Sequence, residues 1–199
     1  MTRILAISAG LSQPSSTRLL ADRLATATRS ELDDEPTVEV VELRDYAHDI
    51  TDNLLTGFAN QHLRGVLDQL EAADGLILVS PTFTASYSGL FKSFMDIVDP
   101  DSVQDKPVLL GATGGTERHS LVLEHALRPL LAYLRARTVP TAVYAASADW
   151  GNDTDLRQRI TRAASELAAT VRDHPKREKT DPFTEPVPFE QLLHGTTAR

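Results

Sequence analysis

The stretch Leu76-Ile77-Leu78-Val79-Ser80-Pro81-Thr82-Phe83-Thr84-Ala85-Ser86-Tyr87-Ser88-Gly89 decides the fold. Its first four residues are a continuous apolar run, which suits a strand buried on both faces of a parallel sheet. Hydroxyls and two aromatics follow. Then Leu90, Phe91, Phe94, Ile97 and Val98 recur at helical spacing. Buried strand, polar loop and amphipathic helix, in that order, open a βαβ unit.

The same order repeats outward in both directions. Upstream, Ile4 to Ala9 is a short apolar run, followed by the helical stripe Leu19, Leu20, Leu24 and Ala27. Val38 to Leu43 reads as a strand, and Leu63, Val66, Leu67 and Leu70 fit a helix. Downstream, Val108 to Leu110 is buried in character and leads to the stripe Leu123, Leu127, Leu130, Leu131 and Leu134. Val139 to Tyr144 reads as a last strand, which Pro140 pushes toward a sheet edge. Leu156, Ile160, Ala163, Leu167 and Val171 close the series. Five strand–helix units predict one α/β domain over residues 1–172, with helices on both faces of a parallel sheet. Arg44 to Asn60 reads as a long irregular connection. Residues 173–199 change character. Pro175, Pro182, Pro186 and Pro188 accompany the charge run Lys176-Arg177-Glu178-Lys179, yet Phe183, Val187, Phe189, Leu192 and Leu193 are apolar. This tail is expected to pack on a partner subunit.

Composition narrows the function. The 199 residues carry 20 basic and 28 acidic side chains, a net charge of −8, which argues against a nucleic-acid partner. The chain has no cysteine, so thiolate chemistry and disulfides are excluded. No apolar run approaches the roughly 20 residues of a membrane span. The start, Met1-Thr2-Arg3, leads into a first strand and not into a signal peptide, so no membrane partner and a cytoplasmic location are expected. The histidines share no i, i+4 ligand face, so no metal site is expected.

In an open α/β sheet, ligands bind beyond the carboxyl ends of the strands. Three loops fall there. The first, Ser8 to Thr17, holds five hydroxyls and opens a helix, whose free N–H groups and positive dipole end suit a phosphate. Any one hydroxyl also reads as an ordinary N-cap. The loop matches neither the G-x-G-x-x-G fingerprint nor the P-loop. In the third unit, Ser80 to Gly89 offers aromatics and backbone donors for a flat ligand, or a turn whose Phe83 fills the core. In the fourth, Gly111 to His119 contains Gly114-Gly115, where backbone N–H groups can approach a ligand closely.

Together these motifs resemble the NADPH-dependent FMN reductase family. They are Ser15-Ser16-Thr17-Arg18-Leu19-Leu20, then Pro81 to Gly89 with Lys92, then Ala112-Thr113-Gly114-Gly115-Thr116 with His119 and Ala126-Leu127-Arg128-Pro129-Leu130-Leu131. The last is similar to reductases that supply reduced FMN to sulfonate monooxygenases. The resemblance implies a flavodoxin-like fold with a five-stranded sheet in the order 2-1-3-4-5. It implies FMN and NAD(P)H as cofactors, with hydride transfer from nicotinamide to flavin N5. By it, Ser8, Ser15, Ser16 and Thr17 hold the FMN phosphate. Pro81, Thr82, Phe83 and Thr84, with Ser86 and Tyr87, border the ring. Thr113, Gly114, Gly115 and His119 line its other edge. No side chain is expected to act as a catalytic acid, base or nucleophile, since the cofactor supplies the reactivity. Many relatives carry an arginine in the first loop where this chain has Leu11 or Ser12, which leaves Arg18 as a substitute.

The resemblance also implies a homodimer or homotetramer, and a flavin-dependent monooxygenase as partner. The apolar helix from Leu90 to Val98 reads as too apolar to face water, which points the same way. Competing readings are an FMN-containing quinone, azo or metal-oxyanion reductase and a non-enzymatic electron-transfer flavodoxin. A phospho-receiver module lacks its aspartate, since the third strand ends in Val79-Ser80. Finally, Pro129 has no N–H for the carbonyl of residue 125, so the helix from about Ser120 to Arg135 is expected to be irregular near His125.

Overall fold

Ile4 to Ser8 are all buried, and with Arg3 they form strand β1 (Arg3–Ser8). In the computed structural model, which describes residues 1–33, 35–151 and 153–174, the chain then alternates as its hydropathy dictates. Helix α1 (Ser16–Glu31) leads to β2 (Thr37–Glu42), and α2 (Ala47–Thr56) and α3 (Gln61–Ala72) lead to β3 (Gly75–Phe83). A short β4 (Ser86–Tyr87) folds back on β3 before α4 (Gly89–Ile97) and the single turn α5 (Pro100–Val103). Strand β5 (Pro107–Gly114) is followed by α6 (Arg128–Tyr133), β6 (Arg137–Thr138), β7 (Val143–Ala146) and α7 (Asp153–Asp173). The tail from residue 175, for which packing on a partner was expected, lies outside the described residues.

The parallel strands run in the order β2-β1-β3-β5, with β6 and β7 both pairing with β5 on its far side. This is the flavodoxin-like order, with two corrections to the expected five strands. The described residues contain seven. The expected strand Val139 to Tyr144 is split, because Pro140 has no N–H for the ladder and the chain leaves the sheet between β6 and β7. The antiparallel β4 is the other addition.

Alternation along the strands builds two cores. Leu5, Ile7, Leu76, Leu78, Val108, Leu110, Tyr144 and Ala146 face α3, α4 and the segment around Leu123 and Leu127. Ile4, Ala6, Ile77, Val79, Leu109, Val143 and Ala145 face α1 and α7. Two expectations are corrected here. Arg44 to Asn60 is not irregular, for it holds a 3₁₀ turn and α2. Helix α4 does not offer its aromatics to a partner, since Phe91 and Phe94 are fully buried in the chain's own core.

The irregularity expected near His125 is present. Leu123–Leu127 is a π turn in which the N–H of Arg128 reaches the carbonyl of Leu123, five residues back. Pro129 then sits in the first turn of α6, where its missing N–H costs nothing further.

Candidate functional site

In each βα unit the helix begins at the carboxyl end of its strand, so the helix N-termini gather at one edge of the sheet. The three loops singled out from the sequence lie at that edge. The register brings them together: Ser8 lies beside Val79, and Pro81 lies beside Thr113. A cavity of about 760 Å³, lined in part by Thr2, Asp74 and Lys106, opens near the opposite ends of the strands. It contains no residue of the three loops, and helix C-termini there disfavour a phosphate.

The first loop wraps tightly. Ser15 caps α1, its Oγ accepting from the Arg18 N–H at 3.2 Å. A Cβ on Gly10 would fall 2.1 Å from Ser15 Oγ, so only glycine lets the loop close on its own cap. Thr17, buried in the first turn, shares a hydrogen bond with Thr113 across 2.8 Å, which ties α1 to the end of β5. Ser8 is fully buried, and its Oγ has no hydrogen-bond partner among the described residues. Ser16 is exposed on the first turn of α1. Arg18 does not stand free for an anion, as its guanidinium donates to Asp22 at 2.8 Å and to Glu42 at 3.0 Å.

The second loop is a β-hairpin. Thr82 pairs with Tyr87 and Phe83 with Ser86, leaving Thr84-Ala85 as a two-residue turn. Both turn residues have positive φ, 47° and 65°, as a type I′ turn requires. A β-branched residue there is strained, and such strain gathers at functional sites. The hairpin holds Phe83 out in solvent, 44% exposed, so it does not fill the core. Pro81 is buried, and Ser80 anchors the return: its Oγ donates to the Pro81 carbonyl and accepts from the Ser88 N–H, both at 2.9 Å. Thr82 Oγ1 is buried beside the Tyr144 phenol and has no hydrogen-bond partner among the described residues.

The third loop leaves β5 at Gly114. Thr113 is buried, Gly115 is exposed, and His119 stands exposed on a 3₁₀ turn, Glu117–His119. Beneath the loop lies Tyr144, 5% exposed, whose hydroxyl donates to the Thr116 carbonyl at 2.8 Å. A Cβ on Gly114 would fall 2.1 Å from that hydroxyl. Burial, with Asp149 nearby, holds the Tyr144 phenol above its usual pKa, so it stays a donor. The sequence reading placed Tyr144 only in a strand. The signal available was a buried tyrosine near a strand end, whose hydroxyl needs a partner.

The site thus joins Ser8, Ser15, Thr17, Pro81, Thr82, Thr113 and Gly114 along one edge. Phe83, Thr84, Ser86 and Tyr87 rise from it as a hairpin, while Ser16, Gly115 and His119 sit on its exposed rim. Buried hydroxyls aligned with a helix N-terminus suit a phosphate, and a projecting wall beside glycine backbone suits a planar ring.

Over 173 residues, 85% of this chain and 91% of its counterpart, the sequence is 42% identical to an FMN reductase (NADPH) of Pseudomonas aeruginosa. Over 178 residues, 87% of this chain and 94% of the other, it is 36% identical to the NADH-dependent FMN reductase SfnF of Pseudomonas fluorescens. The crystal structure of an oxidoreductase from Corynebacterium diphtheriae, 42% identical, superposes with a TM-score of 0.85 over 88% of this chain and 99% of that one. The sequence model of NADPH-dependent FMN reductases matches residues 2–151, which span all three loops, and the chain belongs to that family.

Proposed function

We propose that this NAD(P)H-dependent FMN reductase takes FMN as a substrate at the carboxyl edge of its sheet and passes the reduced flavin to a flavin-dependent monooxygenase. The observation that carries the site assignment is Ser8. Its fully buried hydroxyl has no partner among the described residues, and an unsatisfied buried hydroxyl is costly unless a ligand completes it. Ser15, Ser16 and Thr17, at the N-terminus of α1, supply the further donors a terminal phosphate needs. The Phe83 hairpin borders the ring system, and the backbone around Gly114-Gly115 borders its other side. His119, exposed on its turn, is placed to meet the ring or the incoming nicotinamide.

Flavin chemistry supplies the acceptor for a nicotinamide hydride. The chain's own part is to bind, stack and orient, which demands no acid–base pair. Among the described residues no group of acidic and histidine side chains could hold a metal ion, and no helix is long and apolar enough to cross a membrane.

Exposed apolar side chains support a reading of self-association. Leu121 and Tyr133, 61% and 84% exposed, flank the π turn, and Phe83 projects from the hairpin. Exposed apolar side chains gain from burial against a second copy. We read the protein as a homodimer or homotetramer, within a cytoplasmic setting.

Titration of the protein with FMN and with FAD tests the site. A loop built for a terminal phosphate predicts tighter binding of FMN. An affinity for FAD far above that for FMN would place the phosphate elsewhere.

A further inference from the structure

Tyr144 is remote in sequence from every motif that carries the family resemblance, yet it bears on the flavin loop twice. Its hydroxyl donates to the Thr116 carbonyl at 2.8 Å, and the same oxygen occupies the space a Cβ on Gly114 would need, at 2.1 Å. The phenol therefore holds the Thr116 end of Gly114-Gly115-Thr116 by a hydrogen bond and lies against its Gly114 end. Its own position is held in turn. Tyr144 is paired in register with Ala112 of β5. Arg159 of α7 donates to the Tyr144 carbonyl at 2.6 Å and to Asp149 at 2.7 Å, and Asp149 accepts from the Ala146 N–H at 2.7 Å. The end of β7 is thus clamped, and the ring, 5% exposed, has little freedom to turn.

A Gly-Gly segment has the most backbone freedom of any dipeptide, so its amides hold a direction only if something imposes it. Amides aimed in advance at developing charge stabilise it without reorganisation. Reduced flavin gathers negative charge on its pyrimidine edge. We infer that Tyr144 is a positioning residue for FMN reduction, holding the Gly114–Thr116 backbone in the orientation that favours reduced over oxidised flavin. This rests on the reading that FMN lies against that loop.

The test is Tyr144→Phe, which removes one oxygen and keeps the ring. FMN affinity is measured by fluorescence quenching for the oxidised form, and by anaerobic titration for the reduced form. The expected result is an affinity for reduced FMN weakened about five- to tenfold, the order of one lost hydrogen bond, with a smaller loss for oxidised FMN. The midpoint potential of the bound flavin then falls. Gly114→Ala, whose Cβ meets the same hydroxyl, should weaken reduced FMN as well. Adding Tyr144→Phe to it should cost less than the two single losses combined, because both act on one contact. If Tyr144→Phe lowers the melting temperature while both affinities stay at the wild-type values, Tyr144 is a packing residue and the inference is wrong. Strict additivity of the two substitutions would also overturn it. Wild-type protein that binds no FMN overturns the flavin reading itself, and this inference with it.

Discussion

Ser8 ends β1 with its hydroxyl inside the protein, where nothing among the described residues bonds it. Removing an unpaired buried hydroxyl relieves a desolvation cost, whereas removing a paired one incurs it. The two states of the protein should therefore respond oppositely. Ser8→Ala should leave the flavin-free protein as stable as wild type, or more stable by about 1 kcal/mol. The same substitution should weaken FMN binding by roughly tenfold or more, the order of a hydrogen bond to a charged group. Thermal melts with and without FMN read both effects. Equal stabilisation by FMN in variant and wild type would show that Ser8 does not face the phosphate. Residue-scale chemistry of this kind was legible as a hydroxyl-rich loop, but not as an individual bond. Thr17 and Ser15 look alike in sequence. The fold pairs Thr17 with Thr113 and has Ser15 Oγ accept from the Arg18 N–H, which leaves the Ser15 O–H to donate.

At the scale of elements, the link from the π turn to β7 depends on two side chains. Arg128 sits just after the π turn. It donates to the Glu124 carboxylate at 2.7 and 3.0 Å, to Thr138 Oγ1 at 2.9 Å, and to the carbonyls of Val139 and Pro140, each at 3.1 Å. These carbonyls belong to the segment that Pro140 takes out of the ladder. Arg128→Ala should cost about 2–3 kcal/mol in denaturant unfolding, and Arg128→Lys should recover only part, since an ammonium cannot reproduce the fork. Glu166 of α7 holds the other side. It accepts from Thr141 N–H and Oγ1, both at 2.7 Å. Burial of its carboxyl acts to raise the pKa, but the Thr141 bonds and Arg162 outweigh it and hold Glu166 below the usual carboxylate range. A depressed folded pKa stabilises fully above the ordinary value of about 4.3, and the contribution is lost as pH falls through the folded pKa. Glu166→Ala should thus destabilise by about 1–3 kcal/mol at neutral pH, with the gap to wild type closing in acid. A gap that stays constant to low pH would contradict the assignment.

Helix α2 marks the limit of reading elements from pattern. Only Ile50 of that helix is buried, while Leu54 and Leu55 are 46% and 81% exposed. Without a buried stripe its apolar residues show no helical period, and the segment reads as irregular. The runs that became β1, β3 and β5 were legible for the opposite reason, because strands covered on both faces are apolar almost throughout. The split of the last strand was half-legible. Pro140 signals a weak ladder, but the return of the chain at Val143 depends on the register with Gly111.

Across the whole molecule, two doubly covered cores leave the site on one edge and most charge outside. Helix α4 was expected to supply the contact between copies, but its aromatics complete the chain's own core. Leu121, Tyr133 and Phe83 are among the exposed apolar groups that could take up association instead. Sedimentation equilibrium should show a dimer or tetramer, and Tyr133→Glu should shift it toward monomer. A wild-type monomer at working concentration would contradict self-association. The role of Tyr144 belongs to this scale as well: only the finished sheet brings it under Gly114, so no local pattern announces it.

The proposal that matters most is reduction of FMN on this edge followed by its release. Initial rates of NADH or NADPH oxidation, taken anaerobically with FMN varied against the nicotinamide, test it most directly. Filtration of the same mixture should follow. The expected result is FMN-dependent oxidation with an intersecting, sequential pattern, and reduced FMN passing the filter free of protein. Parallel ping-pong lines with the flavin retained on the protein, or no FMN-dependent oxidation with either nicotinamide, would contradict it.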